Sequence, residues 1–347
     1  MARARNSHNV RTRILWWMMA FSCVVILGPL LWADVSAWSN PRADWWREVR
    51  EGVSGYSAVR GLESGELIQA SGEFWRQLRN GPIAWTGGLL LGGVLAALSL
   101  FYLSKGPVRL EQPETGIRVP RWSRAERLLH WSTALLFLTL ALTGLSILYG
   151  RTLLIPWMGH EFFSSWLIWS KYFHNVSGPL FLVCLLVMTL TWFRDNWWRK
   201  IDLEWFKAFG GMLGGAHPPA GRMNAGEKAW FWLLVCFGAV VSVSGVVLLL
   251  PVLGLGREWL QFSHLFHVGA AIVLMAGALG HIYIGSIGTE GALEGMLQGS
   301  VDLSWAKQHH ALWLQEEGIS PPPLSEADNS TATSRPPGYF RPDATGE

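Results

Sequence analysis

The chain has 347 residues, half of them hydrophobic and only 15% charged, with a formal net charge of +3. Its apolar residues gather in long blocks rather than scattering as core positions, which excludes an ordinary soluble enzyme and describes a chain whose solvent is largely lipid. The three cysteines, Cys23, Cys184 and Cys236, each lie inside an apolar block; none belongs to the closely spaced sets that iron–sulfur clusters or zinc require, and a disulfide framework is unsupported.

A membrane span needs about 20 predominantly apolar residues, and six blocks qualify. The first, Ile14 to Trp32, follows Arg3, Arg5, Arg11 and Arg13 and precedes Val35-Ser36-Ala37. Residues 1–37 therefore read as a secretory signal with a cleavage site, or as an uncleaved N-terminal anchor. Residues 38–82 mix polar and aromatic positions with glycines and are expected to form a small, irregular periplasmic segment. The second block, Ile83 to Leu103, makes residues 83–104 an extra transmembrane helix, and residues 105–127 a cytoplasmic loop. The remaining blocks, Leu128 to Tyr149, Tyr172 to Phe193, Ala229 to Leu250 and His264 to Ile287, form a four-helix core over residues 128–288. Between the third and fourth blocks, Pro156, Trp157 and FFSSWLIW read as an interfacial stretch on the outer surface. Residues 289–319 read as a modestly helical cytoplasmic segment, and residues 320–347, rich in proline and small polar residues, as a disordered tail.

Many of the 22 tryptophans, such as Trp131, Trp192, Trp197 and Trp230, sit at block ends, where amphipathic rings mark the headgroup level. Lys105, Arg109, Arg118, Arg121, Arg124 and Arg127 crowd one loop and Arg194, Arg199, Lys200, Lys207, Arg222 and Lys228 another, while the loops between them hold few basic residues. The positive-inside rule puts both crowded loops, and the C-terminus, on the cytoplasmic side of the membrane. Six arginines in residues 34–82 oppose this count, but a signal-like start carries that segment across regardless.

Ionisable residues inside a membrane are expensive and functional by default, and neutral imidazole is the usual axial ligand of haem iron. His267 and His281 are fourteen residues apart, just under four helical turns, so both project from nearly one face about 21 Å apart along the axis. By the topology above His174 lies at the outer level with His267, and His130 at the inner level with His281. Two bis-histidine b-type haems explain all four imidazoles at once, whereas isolated helix-packing histidines need four separate accounts. Gly144, Gly245, Ser242, Ser244, Gly269 and Gly277 offer room for a flat ring, a role that ordinary helix packing also gives to small residues. His264, one turn before His267, is the competing outer ligand. His160, His217, His309 and His310 read as solvated.

RWSRAERLLHWSTALLFLTLALTGLSILYG (121–150), GRMNAGEKAWFW (221–232), SHLFHVGAAIVLMAGALGHIYIG (263–285) and GMLQGSVDLSWAKQHH (295–310) resemble the gamma, cytochrome b, subunit of membrane-bound formate dehydrogenase, over roughly residues 118–312. The resemblance implies an all-α integral membrane protein whose four-helix bundle holds two haem b, with His174 and His267 on the outer haem and His130 and His281 on the inner one. It implies a catalytic subunit with a molybdenum or tungsten pterin, an iron–sulfur subunit, membrane lipid and quinone (menaquinone or ubiquinone) as partners, and no nucleic acid. It places the quinone beside Asn224 and Gly226, with His281 nearby. The plainer reading of NAG-x-K is a helix start with Asn224 as N-cap and Glu227 closing a capping box, and the two readings are compatible. Related cytochromes b serve nickel–iron hydrogenases and other quinone-linked oxidoreductases, and a haem-free anchor or transporter with a histidine proton relay is the reading from another class.

Overall fold

The computed structural model describes residues 53–54, 66–68, 70–212, 217–250 and 254–319. The signal-or-anchor block, most of residues 38–69 and the C-terminal tail lie outside the described residues. Two short strands, β1 (Val53–Ser54) and β2 (Glu66–Ile68), pair antiparallel. Helices α1 (Ala70–Leu78) and α2 (Ala84–Lys105) follow, joined by a π-turn over Arg79–Ile83. Then come β3 (Arg118–Pro120), α3 (Arg124–Leu153), α4 (Ile155–Trp192), α5 (Ile201–Lys207), α6 (Ala225–Leu249) and α7 (Arg257–Tyr283). The chain closes with α8 (Ala292–Gln298), β4 (Ser300–Asp302), α9 (Leu303–His309) and α10 (Ala311–Glu316).

Among the described residues five helices are long and apolar enough to cross a membrane, and each of the five later apolar blocks lies in one of them. The chain is an all-α multi-pass membrane protein. Large apolar side chains such as Leu128, Leu135, Leu142, Leu180, Leu186 and Leu190 stand exposed on α3 and α4, as lipid-facing surfaces require. Part of the stretch expected to be irregular is helical. Residues 70–82 run straight into α2, because the π-turn absorbs Pro82, whose missing N–H and bulky ring an α-helix rejects. The stretch read as interfacial lies in α4, which breaks only at Gly159 (φ 75°, ψ 168°) and continues to Trp192. Between Gly159 and Gly178 no glycine or proline interrupts it.

The chain forms two compact units. The first comprises the described residues to Leu100, with Leu135–Val183 and Cys236–Leu279. Here α2 closes on α3 and α7 at Gly87, where an added Cβ would lie 2.4 Å from Ile272 Cδ1 and 3.0 Å from the Tyr149 hydroxyl. Tyr149 in turn donates to the Ala84 carbonyl at 2.7 Å. On α1, Glu73 is buried and receives Arg76 bidentately, both distances 2.8 Å. The end of α3 meets the start of α4 where the buried Phe163 ring lies against Gly150; a Cβ there would come within 2.6 Å of the ring. Gly150→Val is expected to lower stability by about 1–3 kcal/mol, the usual range for overpacking, read as a lower thermal unfolding midpoint in detergent.

The second unit comprises Phe101–Ala134, Cys184–Val235 and the described residues from Gly280. Its core is Val119, Val301, Leu303, Trp305, Ala306, Trp313 and Leu314. Strands β3 and β4 pair antiparallel across it, with Arg118 opposite Asp302 and Val119 opposite Val301. The Asp302 carboxylate accepts from the backbone N–H of Thr115, Gly116 and Ser304, at 3.1, 2.8 and 2.8 Å, and so caps α9 while tying in the loop before β3. Arg118 is held by Glu294, by Gln298 and by the Ser300 carbonyl. At the head of α3, Ser123 and Glu126 form a capping box: Ser123 N donates to Glu126 at 2.9 Å and Glu126 N to Ser123 Oγ at 3.2 Å.

Candidate functional site

In the first unit, α4 presents His174 and α7 presents His267 to each other, ring centroids 6.0 Å apart and planes at 67°. His267 Nδ1 lies 2.9 Å from the Val241 carbonyl of α6 and 3.1 Å from Ser244 Oγ. A carbonyl only accepts, so the ring proton is on Nδ1 and the Nε2 lone pair is free. His174 Nδ1 lies 2.9 Å from Thr143 Oγ1, whose own hydroxyl donates to the Thr139 carbonyl at 2.6 Å, giving His174 the same tautomer. Gly144 and Gly245 sit under these rings: a Cβ would meet His174 Cε1 at 3.4 Å and His267 Cε1 at 3.2 Å. Gly269, by contrast, faces open space. His264 turns toward α1, where Trp75 Nε1–H donates to its Nδ1 at 3.3 Å, so it is His267 that faces His174.

The second unit holds the other pair. His130 of α3 and His281 of α7 have ring centroids 6.1 Å apart, planes at 60°. Trp230 of α6 stacks on His281, 4.9 Å away and tilted by 10°. Trp131 stands edge-on to His130 at 5.1 Å and anchors itself by donating to the Met296 carbonyl at 3.1 Å. His130 Nδ1 is buried and has no hydrogen-bond partner among the described residues.

Two imidazoles that coordinate one metal through nitrogens about 2 Å away on opposite sides have ring centroids about 6 Å apart. Both pairs have this separation, and the first presents free Nε2 atoms with outer-shell partners that fix ring orientation. Each pair would suit one haem iron. Among the described residues no group of three or more His, Cys, Asp or Glu gathers as a metal site.

At the head of α6, Asn224 Oδ1 accepts from Glu227 N at 2.9 Å and Asn224 N donates to Glu227 Oε2 at 2.8 Å, the expected capping box. The cap uses the side-chain oxygen and leaves the amide N–H donors unused by it. Gly226 packs beneath Trp205, whose Cη2 a Cβ would approach to 2.7 Å. Sequence reasoning missed Trp205, Trp230 and Arg121. Arg121 is buried between Trp122 and Trp305, 5.0 Å from each ring, and donates to Glu227 at 3.0 Å.

Three histidines are misplaced by the sequence reading. His310 is fully buried, and His217 and His309 are partly buried rather than solvated; the core built on β3 and β4 covers them. Burial, then the Arg121 guanidinium, lowers His310 to about 4. Burial, then His310 and His217, lowers His309 to about 3. Both are neutral near pH 7. His160 is exposed, as expected.

The family described as prokaryotic cytochrome b561 matches residues 121–299, just over half of the chain. Among similar curated proteins, the cytochrome b556(Fdn) subunit of the nitrate-inducible formate dehydrogenase of Escherichia coli K12 is 29% identical over 196 residues, 55% of this chain and 88% of the relative. The cytochrome b556(fdo) subunit of formate dehydrogenase from the same strain is 26% identical over 201 residues, 57% of this chain and 92% of the relative. The formate dehydrogenase cytochrome b556 subunit of Haemophilus influenzae is 27% identical over 218 residues, 58% and 85%.

Proposed function

The chain belongs to the prokaryotic cytochrome b561 family, and from that premise we propose that it is the di-haem cytochrome b subunit of a formate dehydrogenase, carrying electrons from an iron–sulfur partner to quinone. The observation that carries the reading is the recurrence of one geometry: two facing imidazole pairs at 6.0 and 6.1 Å, each contributed by a different helix and α7. The likeness to formate dehydrogenase cytochrome b556 subunits supports the choice of complex.

Haem bound at each pair supplies one-electron chemistry at iron. The protein's part is to hold and orient it. His174 and His267 are assigned to the haem nearer the periplasm, with Thr143, Ser244 and the Val241 carbonyl fixing their rings. His130 and His281 are assigned to the haem nearer the cytoplasm, with Trp230 keeping His281 in place. Asn224 and Gly226 are assigned to quinone, menaquinone or ubiquinone, with the Asn224 amide as the donor to a quinone carbonyl. Formate is oxidised on the molybdenum- or tungsten-pterin subunit outside the bacterial inner membrane. Two electrons then cross inward while the protons of quinol come from the cytoplasm, so charge separates without a proton channel across the membrane.

The test is a reduced-minus-oxidised spectrum and a pyridine haemochrome assay on the purified complex, followed by addition of formate. Two haems b per chain, both reduced by formate and reoxidised by quinone, is the expected result. Reduction by hydrogen but not by formate would transfer the chain to a nickel–iron hydrogenase. A preparation without haem would leave a membrane anchor.

A further inference from the structure

Reducing one quinone takes up two protons with its two electrons, and iron carries only the electrons. Near the head of α6 the second unit holds a row of titratable side chains that neither imidazole pair uses. Glu227 stands at one end, closing the cap on Asn224 through Oε2 and receiving Arg121 on Oε1. Next to it, His310 donates its Nδ1–H to the Gly221 carbonyl at 2.8 Å, leaving a lone pair on Nε2. That Nε2 is buried, has no hydrogen-bond partner among the described residues, and lies 3.9 Å from Glu227 Oε2. His310 is fully buried and the Glu227 side chain 35% exposed; the two facing acceptors lack only a proton between them, and a shift of about 1 Å makes the gap a hydrogen bond.

The row continues outward. The Trp305 ring lies against both His310 and His309, centroids 5.1 and 5.0 Å away. The His309 ring meets the His217 ring edge-on at 5.1 Å. His217 Nε2 is 3.8 Å from Glu111 Oε1, whose side chain is 63% exposed. Gln308 bridges the two by donating to His217 Nε2 at 3.1 Å and accepting from Glu111 N at 2.9 Å.

We propose that Glu111, His217, His309, His310 and Glu227 form the route by which protons reach quinone at Asn224 and Gly226, with His310 as the last carrier before Glu227. The inference rests on the quinone reading above. The charged and titratable groups facing His310 are Arg121 and Glu227; those facing His309 are His310, His217, Glu227 and Arg121. The Arg121 charge and burial keep His310 neutral at rest, so a proton taken up on Nε2 is passed on rather than stored. In each delivery a proton arriving from the His309 and His217 side is taken up on His310 Nε2, that N–H bond breaks as a Glu227 O–H bond forms, and the Glu227 O–H bond then breaks as a quinone O–H bond forms, which restores the carboxylate and the neutral imidazole. Two such deliveries with two electrons convert quinone to quinol, and the chain's own groups return to their starting states.

The test compares the parent complex with His310→Gln, whose amide still donates to the Gly221 carbonyl, using formate and a short-chain water-soluble quinone between pH 6 and 8. The parent rate is expected to vary little with pH. In His310→Gln the rate should fall about tenfold per pH unit, the slope of direct proton capture from solution, while reduction of the haems by formate without quinone stays unchanged. A uniform slowing with the parent's pH profile means that His310 only supports the structure, and overturns the relay; so does a variant indistinguishable from the parent. If His310→Gln fails to assemble, His309→Gln carries the same expectation and the same overturning results. A parent complex whose haems are reduced by formate but which reduces no quinone at any pH overturns the quinone reading itself, and the relay falls with it.

Discussion

If the parent holds two haems b, a His267→Ala chain is expected to retain about one. His174 faces His267 at 6.0 Å, and removing one imidazole would leave His174 alone to hold that haem. His264 stands only three residues earlier on nearly the same face of α7, yet its ring turns to Trp75, which donates to it. The pair in the second unit depends on His130 and His281 and keeps its haem. His264→Ala is the companion: it should keep two. The measurement is haem per protein by pyridine haemochrome, and the assignment fails if His264→Ala, not His267→Ala, loses one haem.

The second large effect concerns stability. Lys228 is 2% exposed and Asp202 5%, and the ammonium nitrogen lies 2.9 and 2.8 Å from the two carboxylate oxygens. This pair fastens α5 to the head of α6, and Asp202 also accepts from Arg199 N at 2.6 Å. Lys228→Met leaves a buried carboxylate without its counter-charge, a change that costs about 3–5 kcal/mol where such pairs have been broken. Lys228→Met combined with Asp202→Leu removes both charges and should recover much of that loss, short of the Arg199 hydrogen bond. Thermal unfolding of the three proteins in one detergent gives the comparison; a Lys228→Met variant within about 1 kcal/mol of the parent would show that the pair is dispensable.

Much of the architecture was legible because it is local. A span announces itself by twenty apolar residues in a row, and two histidines fourteen apart on one helix declare a common face without any knowledge of the neighbours. The Asn224 cap was equally plain from N-A-G-E. What escaped the sequence is what distant residues do together. His310 is buried because Val119 and Val301 bring β3 and β4 together from far-apart parts of the chain, and no window around WAKQHH contains that fact. Gly226 needs no side chain because Trp205 lies on it, again a tertiary contact. Residues 160–171 are helical, in keeping with the absence of glycine and proline between Gly159 and Gly178.

The pairing of Arg118 with Asp302 also has a topological meaning. Antiparallel neighbours lie about 5 Å apart, so the chain enters and leaves the set of histidine-bearing helices at one place. The extra span α2 precedes that junction in the chain and is held besides by its own contact with α3 and α7 at Gly87; the similar curated proteins match 85–92% of their own length to 55–58% of this chain. A segment that leaves the chain before β3 can therefore change in length without altering the order of the helices from α3 to α7.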